Sequence, residues 1–251
     1  MNQSISTSLS DRSRLVRLLS GMSDSKFSNG DYNLAEQLGR IINLSDSISL
    51  SRELNSLPRQ MSQSSEFNAE AVQLDVLESR EKMMRTIINS FVDEPSSSGI
   101  QLPSVSTGTK AEALKTYEPY QRFYSMHQAE MAGGVQALSL RVRDAISGFS
   151  LELYQLAELD RIINDSISAH NGKLFNLTPK LLQRRFTELL DVHQRAQGEA
   201  DTSEPNDWLR AGGWLAEFYK DVQELLLAEL DVRLQAVLGL LEALNSANAA
   251  S

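Results

Sequence analysis

The sequence predicts an all-α fold, an antiparallel helical bundle with a smaller N-terminal helical part. Three observations carry this expectation. Between Trp214 and Leu244, apolar residues recur at Leu215, Phe218, Val222, Leu226, Leu230, Leu234, Val237, Leu241 and Leu244, the three-and-four step of one helical face. Leu225, Leu227, Leu238 and Leu240 widen that face beyond half the circumference, so other helices must cover it. The same period returns in several upstream stretches, and nowhere does a convincing strand alternation appear.

Taken in order, Ser10-Asp11 can cap a short helix with Leu15, Val16, Leu18, Leu19 and Met22 on one face and Arg12, Arg14 and Arg17 on the other. A second helix is expected from Asp31 through Leu34, Leu38, Ile41 and Ile42, and a third across LSDSISLSRELN up to Pro58. Residues 67–92 form a longer helix that turns Val72, Val76, Met83, Met84, Ile87, Ile88 and Phe91 inward, with Glu78–Lys82 and Glu81–Arg85 spaced to pair outside. Asp93 to Thr109 is rich in Ser, Gly and Pro and is expected to be a flexible linker. The organisation is therefore an N-terminal helical region over 1–92, a linker over 93–113 and a C-terminal bundle over 114–251.

In that C-terminal part, Pro119 suits the first turn of a helix running to Ser147, in which Gly133-Gly134 marks either a kink or a close helix contact. Ser150 caps the next helix, with Leu153, Leu156, Leu159, Ile162, Ile163 and Ile167 buried and Gly172 ending it. Thr178-Pro179 opens another, running through Leu181, Leu182, Phe186, Leu189, Leu190 and Val192. A polar loop from Gly198 to Asn206 then leads to Trp208 and the leucine-rich terminal helix. Gly239 is that helix's weak point, costing about 1 kcal/mol relative to Ala.

Composition narrows the function classes. Only 6% of residues are aromatic, so the core is expected to be aliphatic. There is no cysteine, which removes disulfides, thiolate zinc and a cysteine nucleophile. The opening residues lack the apolar core of a signal peptide and no run is long enough to span a bilayer, so the expected location is cytoplasmic, without direct membrane insertion. The net charge of -9 is uneven: residues 1–92 carry ten basic against eleven acidic side chains, whereas from Glu199 to Asp231 only Arg210 and Lys220 oppose the acids. Such a surface repels phosphate.

Chemistry-bearing patterns are sparse. His127, His170 and His193 are the only histidines, and none follows a glutamate at the Glu-x-x-His spacing of bundle-core metal sites. Glu158, Asp160, Glu229 and Asp231 could meet as ligands, but surface positions, or a Glu229–Arg233 pair, fit the helical spacing better. Gly108-Thr109-Lys110 has the wrong glycine spacing for a phosphate loop and follows no strand. No G-x-S-x-G elbow is present. The expectation is no enzyme, no cofactor and no metal. LAELD occurs at 156–160 and again at 227–231, a coincidence of favoured helix residues. Arg184-Arg185 reads as an exposed pair. Ala35, Gly39 and the following ISLSR resemble a helix-turn-helix with too long a turn, and Arg12, Arg14, Arg17, Arg40 and Arg52 could form a phosphate-contacting patch.

Four segments carry a family resemblance: NLSDSISLSRELN (43–55), YQRFYSMHQAEMAGGVQALSLRVRDAIS (120–147), LYQLAELDRII (153–163) and WLAEFYKDVQELLLAELDVRLQAVLGLLEAL (214–244). In order and over most of the chain, they resemble a bacterial family encoded beside flagellar-stator-like membrane proteins, the ZorF-type component of type III Zorya anti-phage defence. Family members tend to carry a proline in the last helix where Ala236 stands here. The resemblance implies a cytosolic, non-enzymatic partner of a ZorA–ZorB-like ion-driven membrane motor and of a ZorG-like companion, coupling the motor to an effector through helix contacts, with homo-oligomerisation open. It supplies no catalytic residues. On that view Leu226, Leu230, Leu234 and Leu241 are core, and Glu224, Asp231 and Arg233 face a partner. The rival expectation is a protein that recognises phage DNA through the N-terminal arginines.

Overall fold

The computed structural model describes residues 14, 15, 17–19, 22, 68–92, 99–103, 114–197 and 205–250, with backbone only at 165–174, 197 and 250. The fold is all-α, as the sequence predicts: every regular element among the described residues is a helix. In chain order they are α1 (Ala69–Asn89), α2 (Glu118–Ser147), α3 (Leu151–Phe175), α4 (Thr178–Gln197), the single turn α5 (Pro205–Trp208) and α6 (Trp214–Ala250). Residues 14, 15, 17–19 and 22 are also helical, with Leu15 and Leu19 buried. The helices expected between Asp31 and Pro58 lie outside the described residues.

Local chemistry explains where the helices begin. Asn68 Oδ1 accepts the Ala71 N–H at 3.1 Å, capping α1. Ser150 Oγ accepts the Leu153 N–H at 3.3 Å, as its position predicts. Pro119 and Pro179 sit in the first turns of α2 and α4, where their missing N–H has no helical partner to lose. Three expectations are corrected. Gly172 does not end α3, which continues to Phe175. Ile88 lies exposed on its helix rather than toward the core. Part of the Ser/Gly/Pro stretch is anchored: Ile100 is buried, the Leu102 N–H donates to Ser90 O at 3.2 Å, and the Tyr219 hydroxyl donates to Pro103 O at 2.9 Å. Ile100, the Leu102 N–H donor and the Pro103 carbonyl acceptor are what a compositional reading of the stretch overlooks.

The chain divides into two compact units. Unit 1 takes Met1–Phe27, Met83–Met131 and Asn176–Val232; unit 2 takes Ser28–Lys82, Ala132–Phe175 and Arg233–Ser251. In unit 1, α4 runs against α6: Arg185 meets Glu217 and Asp221, while His193 stacks on Trp214. The start of α2 runs with α6, Tyr120 meeting Phe218 and Tyr124 reaching Glu229. Leu215, Phe218, Val222, Leu225, Leu226 and Leu230 of α6 are all buried here. Their burial contributes about 1.5–3 kcal/mol per large side chain before entropy is counted.

Unit 2 closes around Val76, Leu138, Val142, Ile146, Leu153, Ala157, Ile162, Leu234, Val237, Leu240, Leu241 and Leu244. Two ion pairs cross this core's edge. Arg141 grips Asp75 through Nε and Nη2, both at 2.9 Å, and holds the Asp75 carboxyl below the usual carboxylate range. Arg143 Nε donates to Asp160 Oδ2 at 2.7 Å, with both side chains largely shielded. The helix runs unbroken through Ala236, and an added Cβ at Gly133 would meet nothing within 4 Å, so Gly133 serves no close helix contact.

Candidate functional site

Unit 1 contains an open cleft of about 400 Å³ formed by the second half of α4, the turn α5 and the start of α6. On α4 its wall is Leu189, Val192, His193 and Ala196, spaced i, i+3, i+4 and i+7 so that all four share one face. The opposite wall is Asp207, Trp208, Ala211, Gly212, Gly213, Trp214 and Glu217. Val192 is 58% exposed there, an apolar side chain standing in water beside two buried indoles.

The turn between the tryptophans makes this geometry. Gly212 sits at φ 85°, in the left-handed region that glycine adopts without a Cβ penalty. Gly213 donates its N–H to Arg210 O at 2.8 Å, and a Cβ there would lie 2.2 Å from Trp208 O. Only a bare backbone lets the chain fold back so tightly. The indoles then meet at 5.8 Å between ring centroids, and His193 contacts both, at 5.9 Å from Trp208 and stacked at 6.0 Å on Trp214. The Trp214 Nε1–H is buried and meets no acceptor among the described residues.

Around the cleft the charge is negative. Asp207 pairs with Arg210 at 2.7 Å, an exposed contact that is worth little in water. Glu217 belongs to a cluster in which Arg185 meets three carboxylates: Asp221 through Nε at 2.8 Å, Glu188 at 3.6 Å, and Glu217 itself. Burial would lower the Arg185 pKa, but these acids outweigh it and hold the guanidinium above its ordinary value. Asp221 is raised, first by burial and then by the like charges of Glu217 and Glu224, against the pull of Arg185. Arg185 is therefore half-buried and engaged, not the exposed residue its position beside Arg184 suggests; Arg184 is exposed. Lys115 Nζ lies 5.2 Å from the centre of the Trp208 ring, so a cation already occupies a place over this indole.

Two further polar groups are buried in unit 1. The Glu229 carboxyl is fully buried, accepting from Tyr124 Oη at 2.9 Å and from Gln128 Nε2 at 3.1 and 3.0 Å. His127 lies 2.8 Å, through Nε2, from Ser90 Oγ. The Ser90 hydroxyl donates to Ile87 O at 2.7 Å, so it can only accept from the imidazole N–H. In this arrangement Nε2, the nitrogen that faces the serine, carries the proton and cannot take another from it, and both residues are buried. Burial pushes the His127 pKa down to about 4.

The residues singled out from sequence are scattered. Glu224 and Asp231 belong to unit 1, both half-buried, with Glu224 at 3.9 Å from Lys220. Arg233 belongs to unit 2, its guanidinium centred 3.9 Å from the Phe175 ring. Leu226, Leu230, Leu234 and Leu241 are core. Arg14 and Arg17 are exposed, while Arg12, Arg40 and Arg52 and the helix-turn-helix-like stretch lie outside the described residues. Of the acids weighed as metal ligands, Asp160 binds Arg143, Glu158 binds Arg161 and Glu229 is held by Tyr124 and Gln128. Among the described residues no three His, Asp or Glu are grouped to hold a metal, and no helix is long and apolar enough to cross a membrane.

The cleft itself escaped the sequence reading. Its signal was WLRAGGW, in which the chain's only two tryptophans bracket a glycine pair.

The model of the family described as "Protein of unknown function (DUF3348)" matches residues 1–246. The chain belongs to the DUF3348 family. Comparison of this DUF3348 protein with curated proteins and with solved structures returned no match.

Proposed function

We propose that this protein is a non-enzymatic docking component of a type III Zorya-like anti-phage system, joining a ZorA–ZorB-like motor and a ZorG-like companion to a downstream effector through helix-borne contacts in the cytoplasm. The family resemblance of the four segments supplies the system, and the unit 1 cleft supplies the contact. The single observation that carries the reading is that cleft, in which an exposed valine, a histidine and two buried tryptophans are brought together. Aromatic anchors in a formed pocket are the usual centre of an interface. The half-buried Glu224 and Asp231, seven residues apart on α6, extend the same reading along one helical stripe.

Co-purification tests it. The tagged protein is expected to capture the ZorG-like companion or the motor proteins encoded beside it. Val192→Arg, which plugs the cleft from an already exposed position, should abolish that capture while leaving the far-ultraviolet circular dichroism unchanged. If the unsubstituted protein captures none of them, the reading is wrong. The rival class is read in parallel by gel shift: steep, salt-sensitive retardation of duplex DNA would favour recognition through Arg14, Arg17 and their neighbours instead.

A further inference from the structure

We infer that the unit 1 cleft takes a cationic side chain, arginine or lysine, carried on an apolar segment of a partner protein. The inference deepens the docking reading and rests on it. Three features of the cleft converge on this chemistry. Its floor is aromatic: the buried Trp208 and Trp214 line it and give the methylenes of a long side chain an apolar base. Its charged lining is wholly acidic, Asp207 and Glu217, with no lysine or arginine among the lining residues. Its remaining wall is aliphatic, with Leu189, Val192 and Ala196 suited to the methylene stem of a long basic side chain and the apolar residues flanking it.

Charge balance around the cleft favours an added cation. Arg185 faces Glu188, Glu217 and Asp221, one positive charge against three carboxylates. Burial first, and then the like charges of Glu217 and Glu224, raise the pKa of the Asp221 carboxyl against the pull of Arg185. On the other side, the Arg210–Asp207 pair is solvent-exposed, with side chains 77% and 43% accessible, so an incoming guanidinium can take the place of Arg210 at little cost. Lys115 over Trp208 gives a precedent inside the same unit: this indole already draws an ammonium group. A volume of about 400 Å³ accommodates one long side chain and part of its neighbours, but not a helix.

Both of the chain's tryptophans line the cleft, so their intrinsic fluorescence reports on it without background. The full-length protein is titrated with a blocked pentapeptide alternating leucine and arginine, and with its leucine–glutamate counterpart. The expected result is a saturable change in tryptophan emission with the basic peptide only, weakening as salt is raised. The double variant Asp207→Asn, Glu217→Gln should weaken it by about tenfold or more. Should that variant lose its helical circular dichroism, Val192→Arg provides the same reading by placing the chain's own guanidinium at the mouth. An equal response to both peptides, no response to the basic one, or a response untouched by these substitutions overturns the inference. The outcome is separable from the docking reading. Capture of the companion or the motor that Val192→Arg abolishes, alongside a silent peptide titration, leaves docking intact and removes only the cationic partner.

Discussion

Unit 1 and unit 2 draw on the same long helices α1, α2 and α6, yet they are filled with different chemistry. A run of ring–ring contacts fills unit 1, from Phe91–Phe123 at 5.4 Å through Tyr120, Phe186 and Phe218 to the two tryptophans. Unit 1 also encloses Ser90, His127, Thr178 and Glu229, whereas Ser139 is the one polar residue buried among the described residues of unit 2. Among the described residues, the unit 2 interior is leucine, valine, isoleucine and alanine, with Phe175 its single buried ring. An aliphatic core asks mainly for the right volume, and volume-conserving exchanges are tolerated. Edge-to-face rings and buried donors ask for particular directions as well. The difference is between a unit 2 that is filled by volume and a unit 1 that is filled by directed contacts, and the cleft lies in unit 1.

The largest expected effect tests whether α6 is core in unit 1. Leu230 is fully buried there, so Leu230→Asp must bury a carboxylate in place of an aliphatic side chain. The expected destabilisation is about 4 kcal/mol or more, enough to remove the helical circular dichroism of a domain of ordinary stability. A folded Leu230→Asp protein that had lost only a binding partner would move Leu230 from core to interface and undo the comparison.

Acid should separate the units more gently. His127 has a folded pKa of about 4, below its ordinary 6.5. As pH falls below 6.5 the unfolded chain takes a proton that the folded chain refuses, so stability declines until about pH 4 and then levels. The full loss is about 3 kcal/mol. Asp221 in the same unit acts the other way: its raised pKa means the folded state takes its proton first, recovering some stability as pH approaches 3.8 from above. In unit 2 the lowered pKa of Asp75 contributes stability above 3.8 that is lost only at lower pH, and its exposure keeps that contribution small. Urea midpoints measured between pH 7 and pH 4 should fall, and His127→Gln should flatten most of that slope. An unchanged slope in His127→Gln would place the acid sensitivity elsewhere.

How much of this was legible in the sequence follows from the same contrast. The heptad-like spacing of Leu226, Leu230, Leu234 and Leu241 announces a buried face, because helical period depends only on neighbours along the chain. The Ser150 cap is equally local. The aliphatic core expected from the low aromatic content holds for unit 2 and fails for unit 1, because composition counts rings without saying where they gather. Arg185 reads as a surface residue until Glu217 and Asp221, thirty residues onward, are folded against it. Ser90 and His127 are 37 positions apart, and no pattern links them. The cleft depends on how tightly the chain turns between Trp208 and Trp214, which WLRAGGW permits but does not dictate.

The two units should also answer oppositely to the mildest of substitutions, a methyl group on a glycine. Gly213 belongs to unit 1, where a Cβ would sit 2.2 Å from Trp208 O, an atom of the backbone that cannot swing aside. Gly213→Ala must therefore open the turn that brings the indoles together, and a destabilisation of about 1–3 kcal/mol is expected, with a change in tryptophan emission. Gly239 belongs to unit 2, in the interior of α6, exposed and with nothing within 4 Å of the added methyl. There Gly239→Ala only removes the backbone freedom that glycine keeps in the unfolded chain, and should stabilise by up to about 1 kcal/mol, with the emission unchanged. Thermal melts of the two variants set the pair side by side. Destabilisation by Gly239→Ala would mean that this helix face is covered by something more than solvent, and the contrast between the two units would have to be redrawn.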